Sequence, residues 1–247
     1  GIIAETASSK MGELGTTTFR PPYTPLTFGT IVGRNVGKYF DIIRKTPIHE
    51  WHVENKAEFE NVGQWKRAWY YPHDGENMHQ AVQRESKAAR DSAGILDAST
   101  LGKIDIQGTD ASEFLNRVYT NAWSKLEIGK CRYGLMLNED GMVYDDGVTT
   151  RLNENHYIMT TTTGGAATVL GKLEDYLQTE WPELDVYLTS VTDHYATISV
   201  CGPNSKKIIQ KVIPEINLSD KDFPHMSFKN SKICLLYTSD AADDSLG

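Results

Sequence analysis

Short runs of alternating hydrophobic and polar residues recur in the second half of the chain, and this alternation predicts β-strands. KIDIQG (103–108) directs Ile104 and Ile106 to one face of a strand. The run CRYGLMLNEDGMVYDDGVTTRL (131–152) predicts two strands joined by a turn at Asn138–Gly141, because NEDG has turn chemistry. Three further runs are rich in β-branched and aromatic residues and are also predicted strands: NHYIMTTTT (155–163), DVYLTSV (185–191) and YATISVCG (195–202).

Apolar residues recur at helical spacing in four other segments, which are predicted helices: 75–94, 109–123, 164–184 and a short one that starts at Pro203. Gly94 is the expected stop of the first helix and Pro182 that of the third, while a Thr/Asp cap signal opens the second. The residues at helical spacing are Met78, Val82, Glu85 and Ala89; Phe114, Leu115, Val118 and Tyr119; Val169, Leu173 and Leu177, directed inward; and Ile208, Ile209 and Val212.

The first part of the chain lacks these patterns. Residues 1–46 include GTTTFRPPYTPLTFG, whose prolines favour extended backbone, and predict an interdomain linker that is either a plain spacer or a strap that binds a partner. Residues 49–72 are rich in aromatic side chains and predict irregular packing. Helices and strands in mixed order, with antiparallel hairpins, indicate an α+β fold of mixed and antiparallel sheets with packed helices, in a domain at 47–233.

Composition excludes several classes of protein. The formal net charge is -8 and the basic residues are scattered, which argues against a nucleic-acid partner. No run approaches the length of a membrane span. Cys131, Cys201 and Cys234 share no metal-ligand spacing and form no even disulfide set, so we expect no metal site and a reducing cytoplasm.

The last residues, 234–247, differ in character from the rest. CLLYTSDAAD (234–243) matches the translation of a laboratory transposon adapter. We therefore expect an artefactual tail, and a domain whose natural sequence stops near Ile233 and is incomplete.

Two adjacent aspartates interrupt the strand after the NEDG turn. Neighbouring strand residues point to opposite faces. Asp146 shares its face with Tyr144 and Val148, whereas Asp145 shares its face with Gly147 and Thr149. The pattern thus predicts a dry Asp146 and a wetter Asp145. A buried carboxylate is either a structural group bonded to backbone or a general base in a ligand pocket, here between Tyr133 and Val148, and pattern alone leaves both open.

These motifs resemble the folate-binding aminomethyltransferase family of the glycine-cleavage T-protein. That family shows Gly-x-x-Asp-x-Ser, then Leu/Met-Gly, then a tyrosine before an Asn-Glu-x-Gly turn and an Asp-Asp pair. The matching residues are Gly94, Asp97, Ser99, Leu101, Gly102, Tyr133, Asn138, Gly141, Asp145 and Asp146. The resemblance implies the N-terminal portion of the aminomethyltransferase fold, truncated at its C-terminus.

A narrower resemblance covers roughly residues 15–232. TTTFRPPYTP, RKTPIHEWH, VGQWKRAWYYP, NRVYTNAWSKL and TTTTGGAA resemble the alpha subunits of heterotetrameric sarcosine oxidases. This implies an oxidoreductase acting on CH–NH donors, with beta, gamma and delta subunits as partners. The domain would bind tetrahydrofolate and capture the one-carbon unit as 5,10-methylenetetrahydrofolate. FAD, FMN and NAD are implied for the whole complex, not for this fragment.

The resemblance also assigns site residues. Asp146 would meet the folate nitrogen that accepts the carbon and act as the catalytic base. Leu101, Tyr133 and Val148 would line the pterin pocket, together with Thr162, where the T-protein has an asparagine. Asp97 and Ser99 are expected to shape a turn, and His49, His52 and His73 to be surface or packing residues.

Other functions fit the same residues. A free glycine-cleavage aminomethyltransferase, a dimethylglycine oxidase-type enzyme and a non-enzymatic folate-binding scaffold are the alternatives. A Gly-Tyr-Thr-Gly-Glu-type motif of the family, whose glutamate holds the pterin ring, is missing from the chain. We therefore expect the fragment alone to bind folate weakly and to be inactive.

Overall fold

A computed structural model describes residues 42–233 of the chain. Most of the predicted linker and the whole predicted tail lie outside these residues. The strands are β1 (Arg44–Lys45), β2 (Glu58–Val62), β3 (Trp65–Tyr70), β4 (Gly94–Asp97), β5 (Gly102–Gln107), β6 (Cys131–Leu137), β7 (Val143–Asn153), β8 (His156–Thr161), β9 (Tyr187–Ser190) and β10 (Ile198–Cys201). The helices are α1 (His49–Glu54), α2 (Met78–Asp91), α3 (Ala111–Val118), α4 (Ala166–Asp175) and α5 (Ser205–Val212). Two 3-10 turns (Trp123–Lys125, Thr192–His194) and a π-helical turn (Tyr176–Glu180) complete them.

The main sheet has five antiparallel strands in the order β6-β7-β8-β5-β9. The predicted NEDG turn joins β6 to β7: the amide of Gly141 donates to the carbonyl of Asn138 at 2.9 Å. Gly141 has φ +80, a conformation that glycine adopts without steric cost. All the strands predicted from alternation are present, so the α+β prediction is confirmed.

Helices α3 and α4 cover one face of this sheet. Phe114 and Leu115 of α3 and Val169 and Leu173 of α4 are fully buried, as the helical spacing predicted. They pack in one cluster against every second residue of the strands: Ile104 and Ile106, Met136, and Tyr157 and Met159. On the other face of the sheet, Tyr133 and Leu135 of β6 are exposed, at 66% and 43%.

The prediction of irregular packing for residues 49–72 is wrong. This segment forms α1 and the β2–β3 hairpin, with β1 parallel to β3 in a three-stranded sheet. Gly63, at φ +56, makes the tight turn between the two strands. Aromatic residues occur on both faces of the hairpin, so the period-2 signal in the sequence is lost.

Helix α2 forms where it was predicted, but its inner face differs in detail. Ala81 is fully buried, whereas Val82 is 40% exposed. The side chain of Asn77 accepts from the amide of Gln80, and the side chain of Gln80 accepts from the amide of Asn77, which makes a capping box. The helix ends at Asp91, with Ser92 as its C-cap, and Gly94, the expected stop, is instead the first residue of β4.

Strand β4 pairs with β10 in a separate two-stranded antiparallel sheet. Within residues 42–233, none of the helices has the length and apolar content needed to cross a membrane.

Candidate functional site at one end of the main sheet

The two adjacent aspartates of β7 lie on opposite faces, but with the reverse of the predicted burial. Asp145 is 5% exposed, and Asp146 is exposed. The expectation of a dry Asp146 and a wet Asp145 is therefore wrong within the described residues.

The pairing of β7 with β6 explains the reversal. Asp145 pairs with Met136, which is 1% exposed and faces α3, while Asp146 pairs with Leu135, which is 43% exposed. Tyr144 and Val148 make the face of Asp146 look apolar in the sequence. The covering helices lie over the other face, and a strand pattern cannot show which face a helix covers.

Asp145 is bonded through both of its carboxylate oxygens. The amide of Thr162 donates to Oδ2 at 3.2 Å, and the hydroxyl of Thr162 donates to Oδ1 at 2.6 Å. The same hydroxyl accepts from the amide of Gly165 at 3.1 Å, just before α4. Asp145 is therefore a structural carboxylate, one of the two possibilities that the sequence left open. Asp146 is the carboxylate that is accessible from solvent.

Tyr119, in the core beside this pair, shows the effect of the buried charge. Burial raises the pKa of Tyr119, and the negative charges of Asp145 and Asp146 raise it further. The phenol of Tyr119 therefore stays protonated and neutral at ordinary pH.

The predicted site residues occupy two successive rows across the sheet. Tyr133 pairs with Val148, and Leu135 pairs with Asp146. Gly102 of β5 pairs with Thr161 of β8. Leu101 and Thr162 are next to these two residues, at the end of the sheet where Thr162 bonds Asp145. Tyr133 is 66% exposed and therefore does not roof an enclosed pocket with Val148. The described residues form one open wall with Asp146 in it.

Two of these residues have surroundings that the sequence did not predict. Leu101 lines a cavity of about 390 Å³ with Trp69 and Leu96, away from Tyr133. Thr162 gives its hydroxyl proton to Asp145, so this hydroxyl can offer a ligand only a lone pair.

A buried lysine fixes the loop that carries Leu101. The ammonium of Lys103 donates to the carbonyls of Ser99 and Leu101, at 2.9 Å each. Burial lowers the pKa of Lys103, an effect partly opposed by the negative charge of Asp97. A lysine in an otherwise alternating strand gave no sign in the sequence that it would be buried.

A second polar cluster joins residues that sequence spacing did not connect. His52 Nε2 lies 2.9 Å from Asp97 Oδ2, and His52 Nδ1 lies 2.6 Å from the hydroxyl of Tyr71. Because an ionised carboxylate only accepts, Nε2 carries the proton and Nδ1 accepts from Tyr71. Burial raises the pKa of Asp97, but hydrogen bonds from Ser99 and His52 outweigh it and the net pKa is lowered.

This cluster has the structural character expected of its members. Asp97 accepts from the amide of Ser99 at 3.0 Å, so the predicted turn role is confirmed, and His52 is a packing residue with a 3% exposed side chain. His49 is buried and His73 is exposed. A cavity of about 620 Å³, lined by Trp51, Tyr71 and Ile95 among others, opens beside the cluster.

Comparison with known proteins adds to this geometry. The profile described as "GCVT N-terminal domain" matches residues 48–238. Sarcosine oxidase subunit alpha of Corynebacterium sp. (strain P-1) is 55% identical over 231 residues, which are 93% of this chain and 24% of that protein. The same subunit of Rhizobium meliloti (strain 1021) is 48% identical over 93% of this chain and 23% of its own length.

More distant relatives share the fold. An aminomethyltransferase of Listeria monocytogenes serotype 4a (strain HCC23) is 30% identical over 74% of this chain and 46% of its own length. The crystal structure of glycine cleavage system aminomethyltransferase T from Bartonella henselae superposes with a TM-score of 0.60 at 24% identity, covering 68% of this chain and 43% of that one. The chain thus spans about a quarter of the sarcosine oxidase relatives and under half of the aminomethyltransferases.

Proposed function

Since the chain belongs to the family of the GCVT N-terminal domain, we propose that it is the tetrahydrofolate-binding part of a sarcosine oxidase alpha subunit. In this role it captures the one-carbon unit from sarcosine oxidation as 5,10-methylenetetrahydrofolate. The 55% identity to such a subunit over 93% of the chain, against 30% to the aminomethyltransferase, favours this over a free aminomethyltransferase.

The observation that carries the proposal is the exposed carboxylate of Asp146 beside an exposed tyrosine. Tyr133 and Leu135 of β6 pair with Val148 and Asp146 of β7, and both β6 residues are exposed. Aromatic and aliphatic side chains that face outward next to a carboxylate suit a flat ring that bears N–H groups. The residues present therefore fit a pterin.

Asp146 has a chemical part that its neighbour cannot take. Tetrahydrofolate supplies the two nitrogens between which the one-carbon unit is bound. Asp146 accepts the proton that leaves the second nitrogen, and its negative charge stabilises the positive charge that develops on the carbon. A positioned base of this kind contributes about 100- to 10,000-fold in rate. Asp145 is excluded because both of its oxygens are already bonded to Thr162.

Desolvation of Asp146 would come from the ligand. The carboxylate is exposed in the described residues, and a ring that lies on Tyr133 would remove water from it. Asp146 then becomes a stronger base only when folate is bound. The same exclusion of water protects the one-carbon unit from hydrolysis.

The wider assembly follows from the names of the relatives. They are called subunit alpha, which implies further subunits. We propose beta, gamma and delta subunits as partners, FAD, FMN and NAD as cofactors of the complex, and the cytoplasm as its location. In this scheme a flavin held by a partner subunit would supply the two-electron oxidation of the N-methyl amine to an imine, becoming reduced itself, and the carbon would then pass to this domain.

The test is an Asp146→Asn substitution in a hybrid alpha subunit, in which residues 48–233 replace the matching stretch of the Corynebacterium relative, assembled with its partner subunits. We expect the rate of methylenetetrahydrofolate formation to fall at least about 100-fold, because the base is lost. Formaldehyde, from hydrolysis of the imine, should rise in its place. Glu139→Gln, which removes an exposed carboxylate from the turn before β7, is the matched control.

Two results would count against the proposal. Wild-type transfer by Asp146→Asn would exclude the base. Folate binding without any transfer by the unsubstituted hybrid would favour the non-enzymatic scaffold.

A further inference from the structure

We propose that two side-chain bridges, from Asp145 of β7 to Thr162 just after β8 and from Thr160 of β8 to Val148 of β7, position Asp146 for the reaction. This inference rests on the proposed function and assigns Asp145, Thr160 and Thr162 as positioning residues. None of them needs to touch the folate.

The backbone pairing of the two strands stops short of Asp146. Strand β7 pairs with β8 from Thr149, opposite Met159, to Asn153, opposite His156. The part of β7 that carries the aspartate pair extends beyond this ladder. Its contacts with the end of β8 are made by side chains instead.

The first bridge lies directly before Asp146. Asp145 accepts from both the amide and the hydroxyl of Thr162, and that hydroxyl accepts from Gly165 at the start of α4. A Cβ on Gly165 would stand 2.7 Å from Thr162 Oγ1 and 2.8 Å from Asp145 Oδ1. A side chain at 165 would therefore crowd the bridge, which links the loop between β8 and α4 to the carboxylate of Asp145.

The second bridge lies two residues after Asp146. The amide of Val148 donates to Thr160 Oγ1 at 2.9 Å, and Thr160 Oγ1 donates to the carbonyl of Val148 at 3.3 Å. A threonine hydroxyl therefore takes the place of both ladder bonds at this position. Between the bridges, Gly147 approaches β8 so closely that a Cβ would lie 1.8 Å from the carbonyl oxygen of Thr160.

The backbone on both sides of Asp146 is thus held, while its side chain is exposed among residues 42–233. Because backbone position sets where a short side chain can reach, an Asp has little room to correct a shifted strand by changing rotamer. A misplacement of about 1 Å at a reacting group can cost about 100-fold in rate. The bridges consequently affect the chemical step more than the binding of folate.

The experiment compares Asp145→Asn, Thr160→Val and Thr162→Val in the hybrid enzyme described above. We expect kcat for methylenetetrahydrofolate formation to fall about 10-fold in each, with KM for tetrahydrofolate changed less than about 3-fold. Thr162→Ser keeps the hydroxyl and should restore kcat. Thr189→Val, an exposed threonine of β9, is the matched control.

A second readout reports the bridge independently of activity. Amide hydrogen exchange at residues 146–148 should become faster in Asp145→Asn and stay unchanged in Thr189→Val, because only the former releases the segment. This measurement also detects a variant that has lost its fold, since exchange would then rise throughout the sheet.

The outcomes separate the two proposals. Slow transfer by Asp146→Asn together with normal kcat and exchange in the three bridge variants overturns the positioning role alone. An increase in KM for Thr162→Val with normal kcat also overturns it, since Thr162 would then contact folate directly. Wild-type transfer by Asp146→Asn overturns the proposed function and the positioning role with it.

Discussion

At the scale of single residues, burial shifts the pKa of individual side chains and so makes the stability of the protein depend on pH. His49 is buried with its ring centroid 4.7 Å from that of Phe59, and its Nδ1 has no hydrogen-bond partner among the described residues. Burial lowers the pKa of His49, and the positive charge of Lys45 lowers it further. The folded protein therefore disfavours the protonated imidazole.

This gives a prediction for stability against pH. The unfolded chain takes up a proton on His49 near pH 6.5, above the lowered pKa of the folded state, so the free energy of unfolding falls as pH drops from about 7.5 to 5.5. His49→Phe removes this contribution, and its curve should fall less steeply over the same range. Urea denaturation at both pH values measures it. An equal change in His73→Gln, which alters an exposed histidine, would contradict the assignment.

The two adjacent aspartates of β7 also show how burial distinguishes residues of the same type. Asp145 and Asp146 are chemically identical and adjacent, yet Asp145 is hydrogen-bonded to Thr162 and Asp146 is exposed. The residue type makes both aspartates candidates for a functional site, and the strand face on which each lies decides its exposure.

At the scale of elements, the close approach of β7 to β8 depends on Gly147. Gly147→Ala should lower the free energy of unfolding by about 2 kcal/mol, because its Cβ would meet backbone rather than a flexible side chain. Gly171→Ala in α4 has no heavy atom within 4 Å of the new Cβ. It should leave the protein as stable or raise its stability by up to about 1 kcal/mol, since alanine favours helix. Urea denaturation of both variants tests the difference, and a neutral Gly147→Ala would show that the strands separate easily.

At the scale of the whole molecule, the described residues supply only one wall of the proposed folate site. Tyr133, Leu135, Met142 and Val143 are exposed apolar residues at the end of the main sheet. A ligand pocket usually buries most of its ligand, and a single wall cannot. We therefore expect the 247-residue chain to show no saturable binding of a tetrahydrofolate analogue at micromolar concentrations, while the hybrid subunit binds it.

Fluorescence titration and calorimetry on both proteins would measure this. A matched Asp146→Asn chain serves as the control for binding at the proposed site. Micromolar binding by the 247-residue chain that Asp146→Asn weakens would show that one wall suffices, against this expectation.

The sequence by itself determined the local elements of this protein. Alternation and turn chemistry located β5 to β7, a high content of β-branched and aromatic residues located β8 to β10, and helical spacing located α2 to α5, because these signals lie in consecutive residues. The NEDG turn was also predictable, since turn chemistry is local. The β2–β3 hairpin was missed because aromatic residues on both of its faces hide the period.

Only the tertiary structure decided which face of each strand is covered. The covering helices come from other parts of the chain: Asp145 lies on the sheet face that packs with α3 and α4, and Asp146 lies on the other face and is exposed, the reverse of what its sequence neighbours indicated. In the same way His52, Tyr71 and Asp97 meet only when α1, β3 and β4 come together. Burial is a property of contacts between distant segments, and a pattern within one segment does not contain it.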